Sequence, residues 1–265
     1  LIIRKAKPED KIPILAFLQN TFRWGDYIDK VWDDWLAKKT LLTVEENGIP
    51  IGIGNFSLSR HQIWIEGLRI NPKFRRKGYA SALVCKMESM AKKNCKISRM
   101  LIASGNSKSL KMAKSLEYTL ESKWWLYNLM PKKLATTVHP ATKLEQFEKL
   151  IESDTYSESW EWLPLDKPAL LELVKKRRIV VAMQNKKPAG VGIWNKSDID
   201  KGVLQLGYLN GTKSGICAIL RYMQNKGFAL KSKRIQVLTQ KILTEPDLDR
   251  RMLFFLMKKE LGAHH

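Results

Sequence analysis

The stretch from Gln62 to Lys93 limits the possible folds more than any other. Gln62–Ile70 reads as a strand, a basic loop containing Pro72 covers Asn71–Gly78, and a helical pattern then runs from Tyr79 to about Lys93. A further strand is expected at Arg99–Ala103. Strand, helix and strand make a crossover, which demands a parallel pair within one sheet. Upstream, Leu41–Val44 and Ile51–Phe56 read as strands joined by the Asn47-Gly48 turn signal, so antiparallel hairpins precede the crossover. Leu1–Lys5 alternates weakly like a strand. Helices are expected after Pro8-Glu9-Asp10 and at Val31-Trp32 and Trp35-Leu36. A helix at about Ser107–Leu116 and a strand at Lys123–Leu129 complete an α/β (α+β) class with a mixed, mostly antiparallel sheet flanked by helices.

The second half repeats this order. Leu134–Val138 is expected as a strand, Thr142–Ile151 and Lys167–Lys176 as helices, and Ile179–Met183 with Ala189–Trp194 as a hairpin. Val203–Leu209 is a strand, a helix runs to Gly227, Ile235–Leu238 is a strand, and Asp247–Leu261 is expected to close as a helix. The repeat is one of element order, at a period of about 130 residues, and divides the chain into 1–130 and 131–265.

A formal charge of +21, from 47 Lys+Arg against 26 Asp+Glu, suits anionic partners such as nucleotides, CoA, RNA or membrane surfaces. Most of the excess is lysine, and lysines along helices commonly form a solvated face. Cys85, Cys95 and Cys217 are odd in number and contain no C-x-x-C, which excludes a disulfide framework and a zinc ribbon and fits a reducing cytoplasm. No apolar run is long enough to span a bilayer. No metal site is expected.

The chemistry concentrates in Glu66-Gly67-Leu68-Arg69-Ile70-Asn71-Pro72-Lys73-Phe74-Arg75-Arg76-Lys77-Gly78-Tyr79-Ala80. A short basic loop that opens a helix is an anion cradle, because the first-turn N–H groups are unpaired and lie at the positive end of the dipole. Gly78 admits backbone close to a phosphate, while Arg75, Arg76 and Lys77 add charge. Neither G-x-x-x-x-G-K-[ST] nor G-x-G-x-x-G is present.

R-x-x-G-x-A (Arg75, Gly78, Ala80) preceded by L-x-I-x-P (Leu68, Ile70, Pro72) resembles the acetyl-CoA loop of the GCN5-related N-acetyltransferase (GNAT) superfamily. Asn106-x-x-Ser109 leading to Leu116-Glu117-Tyr118 resembles that family's second CoA motif, and the resemblance covers about residues 1–125. It implies a GNAT fold, acetyl-CoA as co-substrate, and a catalytic first half followed by a degenerate GNAT-like copy. It further implies that backbone amides from Arg76 through Lys77, Gly78 and Tyr79 to Ala80 hold the CoA pyrophosphate. Leu68 and Ile70 would pair with the pantetheine arm, the Ile70 N–H would polarise the thioester carbonyl, and Asn106 would meet the pantetheine near its amide end. Glu66 occupies the strand position where many members place a general base. Its other reading is a strand carboxylate paired with a nearby Arg. The family's Tyr general acid falls at Ala113, which leaves Tyr79, Ser109, water, or unaided departure of the thiolate.

Phe22-Arg23-Trp24-Gly25-Asp26-Tyr27 lies where the family closes over its acceptor. Trp24, Asp26 and Tyr27 would form a cage for a cation. Alternatively the tryptophans staple a helix to the sheet, the reading favoured for Trp32 and Trp35. The run from Phe22 to Leu36 is also similar to the histidine N-acetyltransferase-like branch, which implies a small amine or free amino acid as acceptor. Acetylation of a protein at its N-terminus or at Lys, and an inactive CoA- or nucleic-acid-binding regulator, are the other readings; nucleic acid is not favoured. The expected assembly is a monomer or homodimer. Cys85 is expected to pack within its helix. His61 is expected at a solvated strand edge. Gly207-Tyr208-Leu209-Asn210-Gly211-Thr212-Lys213-Ser214-Gly215 is the counterpart loop of the second half and lacks the motif.

Overall fold

The computed structural model describes residues 1–18 and 26–262. In chain order the first elements are β1 (Ile2–Lys5), α1 (Lys11–Leu18), α2 (Ile28–Ala37), β2 (Leu41–Glu46), β3 (Ile49–Ser59), β4 (Gln62–Ile70), α3 (Tyr79–Ala91), β5 (Ile97–Ala103), α4 (Ser107–Ser115) and β6 (Thr119–Leu129). Then follow β7 (His139–Pro140), β8 (Thr155–Glu158), β9 (Glu161–Pro164), α5 (Lys167–Lys175), β10 (Ile179–Gln184), β11 (Lys187–Lys196), β12 (Val203–Gly211), α6 (Lys213–Ala229), β13 (Arg234–Thr239) and β14 (Leu248–Glu260). Among the described residues no helix is long and apolar enough to cross a membrane.

Two compact units result. One holds Leu1–Ile102, Asn106–Glu121 and the segment from Met257; the other holds Ala103–Gly105 and Ser122–Leu256. The division is not the linear cut at residue 130 expected from element order, because β6 and β14 each contribute to both units. In the first unit the strands lie in the order β1-β2-β3-β4-β5, antiparallel except for the parallel pair β4–β5. The parallel pair is the one that α3 crosses over, as strand–helix–strand connectivity requires. Trp32 (0% exposed) and Trp35 (6%) are buried on α2, which is the packing role expected of them.

The second unit repeats the plan. Strands β10, β11 and β12 form antiparallel neighbours, and α6 leads to β13, which lies parallel to β12. Its core packs Ile216, Ile219, Leu220 and Met223 of α6 against Leu204, Leu206, Ile235 and Val237 of the sheet.

Three expectations are corrected here. Residues 248–260 form a strand and not a helix. The choice is tertiary: the Leu253 carbonyl accepts from the Ser104 N–H at 2.9 Å, and the Leu261 N–H donates to the Lys96 carbonyl at 2.7 Å. Thr142–Ile151 is two 3-10 turns, Leu144–Gln146 and Glu148–Leu150. Gln146 folds back to accept from the N–H groups of Thr142 (2.7 Å) and Lys143 (3.1 Å), and the Leu150 carbonyl is taken by Tyr208 and Asn210. Side chains of β12 thus replace the helical ladder. Leu134–Val138 forms no strand; the short β7 after it pairs with β10.

Candidate active site

Strand β4 positions the site because it is interrupted once. Asn55 lies opposite Glu66 and Ile53 opposite Arg69, so three steps on β4 face two on β3: a bulge at Gly67-Leu68. Gly67 has φ +65°, the left-handed region that favours glycine. The Asn71 N–H donates to the Ile51 carbonyl at 2.8 Å, which makes Gly52–Ile70 a non-hydrogen-bonded pair. The Ile70 N–H and carbonyl therefore point to the other edge of β4. There the ladder to β5 covers Gln62–Ile97, Ile63–Ser98 and Trp64–Arg99, and among the described residues no later pair joins the two strands. An extended chain with amides of its own can pair with that open edge.

At the end of β4 the chain turns through Pro72–Phe74 and enters α3 at Gly78. Gly78 has φ +80°, no side-chain cap covers the first turn, and a Cβ placed there would meet nothing within 4 Å. Arg76 is also left-handed, with φ +67°. The uncapped N-terminus and alternating backbone hand make a concavity of N–H groups with open space before it, which fits a pyrophosphate. Arg75, Arg76 and Lys77 are exposed around it. Two of these side chains are already engaged. Arg75 Nε donates to the Ile70 carbonyl at 3.1 Å, and Lys77 Nζ lies 3.9 Å from Glu46. Glu46 also accepts from the Tyr79 hydroxyl, and that bond first of all pushes the Tyr79 phenol up.

Glu66 is half-buried, and its Oε1 accepts from Asn55 Nδ2 across the strand pair at 3.1 Å. Burial first, and then the charge of Glu66, push the Tyr27 phenol above its usual range. Asp26 is not an open carboxylate. Arg69 binds it through Nε (2.7 Å) and Nη2 (3.1 Å), and its side chain is 5% exposed. The Arg69 guanidinium lies 5.6 Å from the Tyr27 ring centroid, and Tyr27 meets Trp35 edge-on at 6.0 Å. The start of α2 is therefore clamped to the bulged end of β4. Trp24 lies outside the described residues.

Asn106 caps α4: its Oδ1 accepts from the Ser109 N–H at 3.2 Å, so part of the side chain expected to meet pantetheine serves the helix. Ala113 is fully buried. Tyr118, five residues on, bonds Glu88 at 2.6 Å and Ser98, inside a cluster closed by Lys259 at 2.9 Å from Glu88. Cys85 is exposed and not packed as expected; all three cysteines are free, and His61 is exposed. Sequence reasoning missed Asn55, Arg69 and Glu46. No motif marks them; each joins the site only through cross-strand register or the fold of the loop.

The counterpart of the β4–α3 loop in the second unit is closed. Strand β12 reaches Gly211 and α6 starts at Lys213, leaving no basic loop between them. Thr212 Oγ1 caps the helix by accepting from the Gly215 N–H at 3.2 Å. A Cβ at Gly215 would stand 2.0 Å from the Ala189 carbonyl, so this helix end packs directly on the backbone of β11.

Residues 11–118 match the family model described as the acetyltransferase (GNAT) family. They form a GNAT domain. A GCN5-related N-acetyltransferase from Sphaerobacter thermophilus has a TM-score of 0.68 at 13% identity, covering 99% of this chain and 96% of that one. A protein from Thermoplasma acidophilum assigned as an acetyltransferase has 0.67 at 12% identity, covering 98% and 100%. At such identities the likeness is one of fold, and it extends over nearly all of this chain. No curated protein matches it. The chain is accordingly a transferase with a GNAT domain, and the family implies acetyl transfer from acetyl-CoA.

Proposed function

We propose that the GNAT domain passes an acetyl group directly from acetyl-CoA to the amine of a small molecule, a free amino acid being the leading class. One observation carries this reading: Glu66 and the outward edge of Ile70 lie on either side of one bulge, at the opening between β4 and β5 and beside the uncapped end of α3. The N–H groups from Arg76 to Ala80 would hold the pyrophosphate, and β4 would pair with the pantetheine through Leu68 and Ile70. Acetyl-CoA supplies the activated acyl group.

Glu66 takes the proton of the acceptor ammonium, directly or through water, so that a neutral amine attacks. The Ile70 N–H receives the charge that develops on the carbonyl oxygen. The leaving thiolate needs little help, since a thiol's pKa of about 8.5 is near neutral. That fits a buried alanine at 113 and a Tyr79 hydroxyl committed to Glu46. Asp26 spends its charge on Arg69, so the acceptor's cation would be met by Glu66 and by the Tyr27 ring on that side.

The test is thiol release from acetyl-CoA over free amino acids (histidine included), polyamines and N-terminal peptides, with wild type and Glu66→Gln. Turnover on one small amine, falling about 10²–10⁴-fold in Glu66→Gln, is expected. Turnover only on peptides would replace the acceptor class. An unchanged pH–rate profile in Glu66→Gln would remove it as the base.

A further inference from the structure

We infer that Asn55 is a positioning residue that keeps the Glu66 carboxylate ionised and aimed for proton transfer. The inference rests on the reading of Glu66 as base. Asn55 stands directly opposite Glu66 in the β3–β4 register, so the two side chains share a face of the sheet. Its Nδ2 donates to Glu66 Oε1 at 3.1 Å. The residue is 2% exposed, and its Oδ1 is buried with no hydrogen-bond partner.

That unpaired carbonyl is informative. Turning the amide round would set its oxygen against a carboxylate, acceptor facing acceptor, so the nitrogen must face Glu66. The orientation leaves Oδ1 buried without a protein partner, a penalty that an apolar side chain would not incur. Ile53 and Phe56 beside it on β3 are both buried and apolar. If position 55 served packing alone, an aliphatic residue would do better. What the amide adds is one hydrogen bond to the ionised form of Glu66, which favours that form and fixes its rotamer. Tyr27 at the start of α2, whose hydroxyl stays protonated, and Arg69 on β4, whose charge Asp26 neutralises, also act on this side.

The pH dependence of kcat/KM for wild type, Asn55→Leu, Asn55→Asp and Glu66→Gln tests this, with acetyl-CoA affinity by calorimetry as control. Loss of the donor should move the acid limb to higher pH by about one unit in Asn55→Leu. A second carboxylate in Asn55→Asp should move it further. Acetyl-CoA affinity should stay within about twofold, and Asn55→Leu should add nothing in a Glu66→Gln background. An unmoved acid limb in both Asn55 variants, with Glu66→Gln altering the profile, overturns the role of Asn55 and leaves Glu66 as base. A profile unchanged in Glu66→Gln overturns both. Acetyl-CoA affinity lost in proportion to kcat/KM makes Asn55 a packing residue and also overturns the inference.

Discussion

At Gly67 a Cβ would stand 2.7 Å from the Trp35 ring while the backbone holds φ +65°. Both penalties act on one substitution, so Gly67→Ala should lower stability by about 3 kcal/mol in chemical denaturation. A loss below about 1 kcal/mol would show that the bulge relaxes cheaply. Asp10 is a second decisive residue. It is 3% exposed, with Arg4 at 2.7 and 2.9 Å and the Lys7 N–H at 2.8 Å. Burial alone would raise its pKa; the hydrogen bonds from Arg4 and Lys7 outweigh burial and hold the carboxyl below its usual value. A depressed carboxylate stabilises the fold fully above its unfolded pKa of about 4, and loses that contribution as pH falls through the lower folded value. Denaturation between pH 7 and 2 should show an acid loss that Asp10→Asn flattens, at a cost of about 2 kcal/mol at pH 7. Unchanged slopes in the two proteins would remove Asp10 from the acid transition.

Among the elements, the sheet of the second unit carries a row of amides in register. Asn195 on β11 lies opposite Gln205 on β12, Gln205 beside Gln236 on β13, and Gln236 opposite Asn128 on β6. Asn195 Oδ1, Gln205 Nε2 and Gln236 Oε1 are buried without partners, although Gln205 Oε1 accepts from Ser157 at 3.2 Å. Replacing a buried unpaired amide by an apolar side chain of similar size should stabilise, so Gln236→Met should raise unfolding stability by about 1 kcal/mol. A destabilised variant would mean that the amide has a partner in solution. Hairpins and crossovers were legible because alternation and turn residues are local signals; β2, β3, β4 and α3 follow them closely. β14 was not. Six apolar residues in succession, Met252–Met257, support a buried strand or a helix equally, and hydrogen bonds to Lys96 and Ser104, far away in sequence, decide the matter.

For the whole molecule, the two units predict one acetyl-CoA site. The first presents an uncapped helix end behind a basic loop, whereas the second caps its helix with Thr212 and packs Gly215 on Ala189. Calorimetry should give a stoichiometry of one per chain, and charge reversal at Arg76 and Lys77 should abolish it. Two sites, or binding that survives the reversal, would contradict this.

By itself the sequence determined the crossover and the repeated order of elements, and it singled out the basic loop before α3 and Glu66 as candidates. Each is assembled from local signals, alternation, turn residues and short motifs, where backbone preference and side-chain chemistry act together. The tertiary structure decided the bulge that turns Ile70 to the open edge, the bond from Asn55 to Glu66, and the pairing of Asp26 with Arg69. It also decided which parts of β6 and β14 belong to each unit. These depend on register and on partners far along the chain, and a one-residue slip in register would turn every side chain of a strand to the opposite face.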